Sequence, residues 1–350
     1  MTDRIISALP HLVENLSPEE HEIWGRIYTI SRHEGRLILP EALREEEAKY
    51  APFRSQQITR VTNLHSGEST LFNELRAKRP LEARRDEVPV RELEAGNGCP
   101  FCDPLKTTPS DVFGRVEGRF CLTASNLAKY DALHALVIFR QHHPFICEEE
   151  KIRDFLDVAQ TWFLRAQQYD PRARYPFFMW NCLWRAGASI IHGHAQALLA
   201  VEPYQSVEDW LHTCDSYRKR FGSGYGEDLF RLHEALGLGR SYREGGILAC
   251  LTPVKEKEMM ILAPAVENLP PLISRVLSLY HRLGVCSFNL AIFQPPLNVS
   301  GPVMARVVDR GDLLSRSSDI GGMELYGGTA VVSSDPFVMM DALAAQNSEG

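Results

Sequence analysis

The sequence has no surplus of basic charge: 38 Lys and Arg face 45 Asp and Glu, a formal net charge of -7 over 350 residues. That excludes the broad basic face of a nucleic-acid binder. No apolar run is long enough to span a bilayer, so no membrane partner is expected. The first residues, MTDRIISALPHLVENLSPEEH, lack a basic start, an apolar core and a small-residue cleavage site, and do not read as a signal peptide. Cysteine is sparse. The eight thiols (99, 102, 121, 147, 182, 214, 250 and 286) are too few for a disulfide scaffold. Cys121, Cys147, Cys182, Cys250 and Cys286 lie in apolar runs and are expected to be buried and unpaired, which fits a reducing cytoplasm. No linker is rich enough in Pro or Ser to argue for independent domains. A hydrophobic fraction of 44% can fill a core of one large or two moderate domains.

One stretch stands apart from this background. RAGASIIHGHAQALLA, residues 185–200, places His192, His194 and Gln196 at every second position of an otherwise apolar run. Successive side chains of a strand point to opposite faces. A strand over 187–200 therefore puts these three on one face, with Ile191, Gly193, Ala195 and Ala197 on the other. Histidine and glutamine are poor choices for plain solubility beside Lys or Glu. A polar row on a rigid, buried strand is where precise chemistry is best placed.

Residues 1–56 read as a helical extension, with Ser17 as cap, Pro18 in the first turn and Glu20 three residues on. Two short strands around the turn HSGES follow, then a basic arm. Strands RFCLT and HALVIF lie between 119 and 143. A helix spans about 148–168, where Ile152, Phe155, Leu156, Ala159, Trp162, Phe163 and Ala166 keep helical spacing. Strand PFFMWNCLW and the 187–200 stretch complete the first half. After charged helical sequence at 206–237, a similar order returns: strands GILACLT and EMMILAP, a helix near 270–284, and strands SFNLAIF and VMARVVD. This reads as a weak internal repeat that lacks the H-x-H-x-Q row. The loop SSDIGGMELYGG and a short helix, DPFVMMDALAA, end the chain. The expected class is α+β, with two halves at 57–205 and 206–350, each an antiparallel sheet with packed helices, behind the extension.

A metal half-site is visible in NGCPFCDP, where Cys99 and Cys102 share a turn with Gly98 and Pro100. One such turn can aim two thiolates at one ion. C-x-x-C is also a redox motif, but Pro104 and the following DPLKTTPSD discourage the helix that motif opens. A second half-site has candidates in His142 or His143, just past HALVIF, and in His192. Two cysteines and two histidines close a tetrahedral structural site.

Five segments together resemble the galactose-1-phosphate uridylyltransferase branch of the histidine-triad superfamily, including its sugar-nucleotide phosphorylase relatives. They are RAKRP (76–80), CPFC (99–102), HALVIFRQHH (134–143), NCLWRAGASIIHGHAQ (181–196) and GGMEL (321–325). The resemblance spans about 57–345, and its most specific part is 181–196. It implies two histidine-triad-like halves and a structural zinc held by Cys99, Cys102, His192 and one of His142 or His143. Family spacing favours His143, and the simpler histidine-triad pattern favours His142. It implies that His194 attacks the α-phosphorus of a nucleotide sugar, forming a nucleotidyl-histidine. Gln196 and backbone amides near Gly187 and Ser189 would donate to the phosphate oxygens, and Arg76 and Arg79 would pair with phosphate. Asn126 resembles a nucleotide contact, Asn181 a phosphate or sugar contact, and Glu324 an acceptor for hexose hydroxyls. The implied partners are a nucleotide sugar, best matched by UDP-glucose, with a hexose-1-phosphate, and a second copy of the chain. The alternatives are a phosphorylase acting on an adenine nucleotide (an ADP-sugar or diadenosine tetraphosphate) with inorganic phosphate, and a nucleotide-binding protein without catalysis. Retention of His194, Gln196 and both arginines argues against the last. PVMARVVD has no histidine, so the second metal site often carried by uridylyltransferases is expected to be absent.

Overall fold

The computed structural model describes residues 4–41, 50–78, 98–315 and 318–346. Its strands are β1 (Tyr28–Arg36), β2 (Ser55–Asn63), β3 (Ser69–Phe72), β4 (Cys121–Ser125), β5 (His134–Phe139), β6 (Tyr175–Asn181), β7 (His194–Ala200), β8 (Gly239–Tyr242), β9 (Gly245–Ala249), β10 (Met259–Ala263), β11 (Phe288–Phe293), β12 (Val303–Asp309) and β13 (Thr329–Val332). Its helices are α1 (Leu9–Glu14), α2 (Pro18–Ile27), α3 (Pro104–Thr107), α4 (Glu149–Tyr169), α5 (Gln205–Phe221), α6 (Tyr225–Leu236), α7 (Leu269–Arg282), α8 (Gly322–Leu325) and α9 (Pro336–Ala345). The class is α+β, as expected.

Strands β4-β5-β7-β6-β11-β12-β10-β9-β8 form one sheet in that order, antiparallel throughout. The internal repeat is explicit in the topology. The unit β4, β5, α4, β6, β7 pairs its strands β4-β5-β7-β6; the unit β9, β10, α7, β11, β12 pairs them β9-β10-β12-β11. The two sets meet edge to edge at β6 and β11, where Met179 faces Ala291. Gln196 pairs with Leu136 and Met179, and Arg306 with Met260 and Ala291. Gln196 and Arg306 therefore occupy equivalent places.

Helix α4 forms because its apolar residues recur on one stripe, and all seven expected positions are buried. Phe155 stacks on Phe139 of β5 with ring centroids 3.9 Å apart, and Trp180 of β6 closes edge-on at 5.0 Å from Phe139. Each such aromatic, removed from water, contributes about 1.5–3 kcal/mol. One face of the sheet is thereby filled by helix, and His194 and Gln196 are left on the other.

The extension departs from expectation. Helix α2 has the anticipated cap: the Glu20 amide donates to Ser17 Oγ at 3.3 Å, and the Ser17 amide to Glu20 at 2.9 Å. Residues 28–36, however, form a strand rather than helix, because they pair along their whole length with β2. Tertiary pairing overrides a polar sequence of weak preference. Strands β1-β2-β3-β13 make a second sheet, with β3 and β13 parallel. Two thiols also depart from expectation: Cys286 is exposed and Cys147 half-buried, since both sit in loops, just before β11 and α4.

The second sheet is tied to the first through charge. Arg306 Nε donates to Glu258 and its Nη1 to Glu68, each at 2.5 Å, and Glu258 is fully buried. Removing one partner strands a buried charge. Arg306→Met should destabilise the chain by about 3–5 kcal/mol, and Glu258→Gln in that background should recover part of the loss. Urea unfolding measures both; a loss under about 1 kcal/mol for Arg306→Met would contradict the clamp.

Candidate metal and nucleophile site

Strand β7 begins at His194, not at 187 as expected. Residues 187–193 are loop, so His192 lies just before the strand that carries His194 and Gln196. The reason lies in Gly193. Its amide donates to the His142 carbonyl and its carbonyl accepts from Phe139, each at 3.0 Å. A Cβ there would sit 2.5 Å from the Phe139 ring and 3.0 Å from Pro144 Cα. This tight crossing holds the 139–143 turn against the loop that carries His192.

Cys99, Cys102, His142 and His192 converge, with one ligand atom from each lying within 4.8 Å of the others. Sulfur-to-nitrogen separations are 3.6 Å for Cys99–His192, 3.3 Å for Cys102–His142 and 3.5 Å for Cys102–His192. A tetrahedral ion bonded at about 2.3 Å to sulfur and about 2.05 Å to nitrogen needs edges of about 3.5 Å, so the four residues fit one. Both imidazole atoms in these pairs, of His142 and His192, are Nδ1. His192 Nε2 lies 2.7 Å from the Phe139 carbonyl, which can only accept. The proton is therefore on Nε2, and Nδ1 presents its lone pair to the cluster. Burial and the neighbouring Cys99 push the Cys102 thiol up. Between the two candidates for the remaining position, the structure brings in His142. His143 is exposed and turned to its own turn, with Nδ1 3.2 Å from the Phe145 carbonyl.

The same device fixes His194. Its Nδ1 lies 2.8 Å from the His192 carbonyl, so Nδ1 carries the proton and Nε2 keeps a free lone pair. Burial holds the imidazole below its ordinary range, partly offset by that hydrogen bond, so the ring is neutral near pH 7. Phe101, between the two cysteines, packs edge-on against both rings, at 5.9 Å from His192 and 5.2 Å from His194. It also joins Ala124, Leu136 and Ile138 in an apolar cover over this part of the sheet. Sequence reasoning missed Phe101, because an aromatic inside C-x-x-C carries no signal of its own.

Gln196 is buried beside His134, with Oε1 2.9 Å from His134 Nε2. Asn126 is half-buried beside the same ring. His134 was missed too: a single histidine opening an apolar strand looks like core. Asn181 accepts from Asn289 at 2.6 Å, across the seam between the halves. Asn289 in turn accepts from Arg310, and Arg310 pairs with both oxygens of Asp319 at 2.6 and 3.0 Å. Lys255 donates to the Asp319 carbonyl and, at 3.1 Å, to Glu324. Burial alone would raise the Glu324 carboxyl; the Gly321 amide, its own backbone and Lys255 outweigh that and lower it. A polar chain thus links Glu324 in the second half to Asn181 in the first. Lys255, Asn289, Arg310 and Asp319 stand in no motif, and only the fold brings them together.

The remaining candidates are less central. Gly187 holds φ at +92°, and its amide donates to the Trp184 carbonyl at 3.0 Å. The Gly187 amide is used within the turn, because the left-handed conformation closes a one-turn 3-10 helix. Ser189 is exposed in the loop before His192. Arg76 is exposed on the turn after β3, on the smaller sheet. Arg79 lies outside the described residues. A cavity of about 430 Å³ lies on the second half of the same face, lined by Tyr28, Trp210, Tyr225, His233, Glu258 and Arg306 among others. His194 and Gln196 do not line it, so the chemistry assigned here does not rest on it. No helix among the described residues is long and apolar enough to cross a membrane.

No known family profile and no curated protein sequence matches the chain. Solved structures do. A uridylyltransferase aligns with a TM-score of 0.58 at 14% identity, over 83% of this chain and 98% of its own. An ADP-glucose phosphorylase from Arabidopsis thaliana, with bound ADP-glucose, aligns at 0.57 with 18% identity, over 79% and 94%. A GalT-like protein from the same plant aligns at 0.54 with 18% identity, over 71% and 91%. The likeness is one of fold, and it is the fold that the five sequence segments imply.

The purified chain should hold about one metal ion. Cobalt substitution should give intense thiolate-to-metal absorption, and Cys99→Ser should weaken that band, lose metal and lower Tm. A metal-free wild type with the same Tm as Cys99→Ser would contradict the site.

Proposed function

We propose that this chain is a nucleotidyltransferase that works through a covalent nucleotidyl-His194, moving a nucleoside monophosphate from a nucleotide sugar to a hexose-1-phosphate. UDP-glucose is the best-matched donor. The observation that carries the reading is the His194 ring, buried, with Nδ1–H spent on the His192 carbonyl and Nε2 left as a lone pair. Gln196 stands two residues on along the same strand face.

In the first step Nε2 attacks the α-phosphorus in line. A phosphorus–nitrogen bond forms, the pyrophosphate phosphorus–oxygen bond breaks, and the sugar phosphate leaves with that electron pair. In the second step an oxygen of the acceptor phosphate attacks the same phosphorus, the phosphorus–nitrogen bond breaks, and neutral His194 is restored. Gln196 donates its amide N–H to a phosphate oxygen as charge builds there. Asn181 and Glu324, joined through Asn289 and Lys255, orient the phosphate and sugar ends of the donor. Arg76 and Arg79, the latter outside the described residues, supply positive charge to phosphate. Zinc is the ion we assign to the Cys/His cluster, since two thiolates and two imidazoles in a closed tetrahedron suit a structural zinc. When bound, it anchors the loop that ends at the nucleophile.

A second reading changes the donor and acceptor but not the chemistry: inorganic phosphate attacks the intermediate, and an ADP-sugar is the donor. It is supported by the fold neighbour that holds ADP-glucose. A panel of α-labelled UDP- and ADP-sugars separates the two, since one of them should leave acid-labile, base-stable label on the wild type. His194→Gly should keep fold and metal and take no label, and Gln196→Ala should slow transfer by about 10²–10³. Initial rates should be ping-pong. Label on His194→Gly, or sequential kinetics, would overturn the covalent mechanism.

A further inference from the structure

His134 is fully buried at the start of β5, between Asn126 and Gln196, and the mechanism above gives it no role. Its two ring nitrogens can be told apart. The Tyr130 amide points at Nδ1 from 3.0 Å, and a backbone N–H can only donate. The Asn126 amide nitrogen lies 3.3 Å from Nδ1 and 3.2 Å from Nε2 and does not choose between them, so the Tyr130 amide decides. Nδ1 is therefore an acceptor without a proton. The neutral ring must carry its proton on Nε2, and burial keeps it neutral by holding it below the ordinary imidazole range. Nε2 lies 2.9 Å from Gln196 Oε1. The direction of this bond is thus set by a backbone amide four residues before His134. His134 donates and the Gln196 oxygen accepts.

That has a consequence for Gln196. A glutamine amide can turn over, presenting either oxygen or nitrogen outward. With its oxygen held inward by His134, its two N–H donors are left for whatever lies over β7. The reverse orientation would face a developing oxyanion with a second oxygen. From this we infer that His134 is a positioning residue, whose Nε2–H locks the Gln196 amide with its nitrogen toward the substrate phosphate. The inference rests on the nucleotidyl-transfer reading of His194 and Gln196.

The internal repeat supports it independently. Leu136 pairs with Gln196, and His134 stands two residues before Leu136. Met260 pairs with Arg306, and Glu258 stands two residues before Met260. Glu258 accepts from Arg306 Nε at 2.5 Å, so the equivalent position again holds the equivalent side chain. In the first half the pair fixes a donor, and in the second it fixes a cation. Both partners keep donors beyond that bond: Gln196 its amide N–H groups, and Arg306 its Nη1, which donates to Glu68.

The first test uses the wild-type protein and needs no substrate. Long-range ¹H–¹⁵N spectra of histidine-labelled protein report the tautomer of each ring, and His134→Gln identifies the resonance. His134 should be the Nε2–H tautomer; an Nδ1–H tautomer, or a charged ring at pH 7, overturns the inference whatever the chain catalyses. The second test is kinetic. His134→Phe keeps a ring but no donor and should slow transfer by about 10²-fold, as Gln196→Ala does, with metal content unchanged. In the Gln196→Ala background it should cost less than about 2-fold more, since its effect runs through Gln196. His134→Gln, which can still donate, should return to within about 10-fold of wild type. Equal, multiplying losses in the two backgrounds, or a wild-type rate for His134→Phe, overturn the inference. Failure of the wild type to take label from any donor would instead sink the transfer reading and leave the tautomer result standing.

Discussion

The site depends on backbone groups that decide which nitrogen of each imidazole bears the proton. The Phe139 carbonyl takes Nε2–H of His192, and the His192 carbonyl takes Nδ1–H of His194. The two rings are thus fixed with opposite nitrogens deprotonated. One lone pair turns toward the cysteines and the other toward the open face. A free imidazole divides itself between tautomers, and a catalytic one cannot afford to. Here the choice is made by the β5–β7 crossing at Gly193, which holds residues 139–142 against the loop. Anything that loosens that crossing spoils ligand and nucleophile together.

The fold gives this crossing a rigid support. Both halves contribute strands to one sheet, and the seam between β6 and β11 is closed by the Asn181–Asn289 hydrogen bond as well as by strand pairing. The halves have diverged in how they use the same positions. In the first, β7 carries His194 and Gln196. In the second, the counterpart strand β12 carries Arg306, which bridges Glu258 and Glu68 and fastens the smaller sheet.

Much of this was legible in the sequence, and the exceptions have physical causes. The α4 stripe, the Ser17 cap, the order of strands in both halves and the Cys99–Cys102 turn follow from spacing and local chemistry. The row of His192, His194 and Gln196 pointed to the right segment, but strict alternation put His192 on the strand. Gly193 marks the end of that strand, and a glycine in an alternating pattern does not say on which side pairing stops. His142 and His143 are adjacent, so only the turn geometry could bring one of them to the cysteines. His134, Asn289, Arg310 and Lys255 are ordinary polar residues in sequence, and each takes its role from a contact with a residue distant in the chain: Gln196, Asn181, Asn289 and Glu324 respectively. β1 was missed because its outward residues are too polar to show a buried face.

The central claim is that the nucleophile is Nε2 of His194, selected because the His192 carbonyl occupies Nδ1. The most direct measurement is the site of attachment in the trapped intermediate. The wild-type protein is quenched after reaction with its labelled donor and digested, and the modified peptide is analysed by NMR, which distinguishes the two nitrogen isomers of a phosphorylated imidazole. The account predicts a single adduct, on Nε2 of His194. An adduct on Nδ1, or on any other residue, would contradict it.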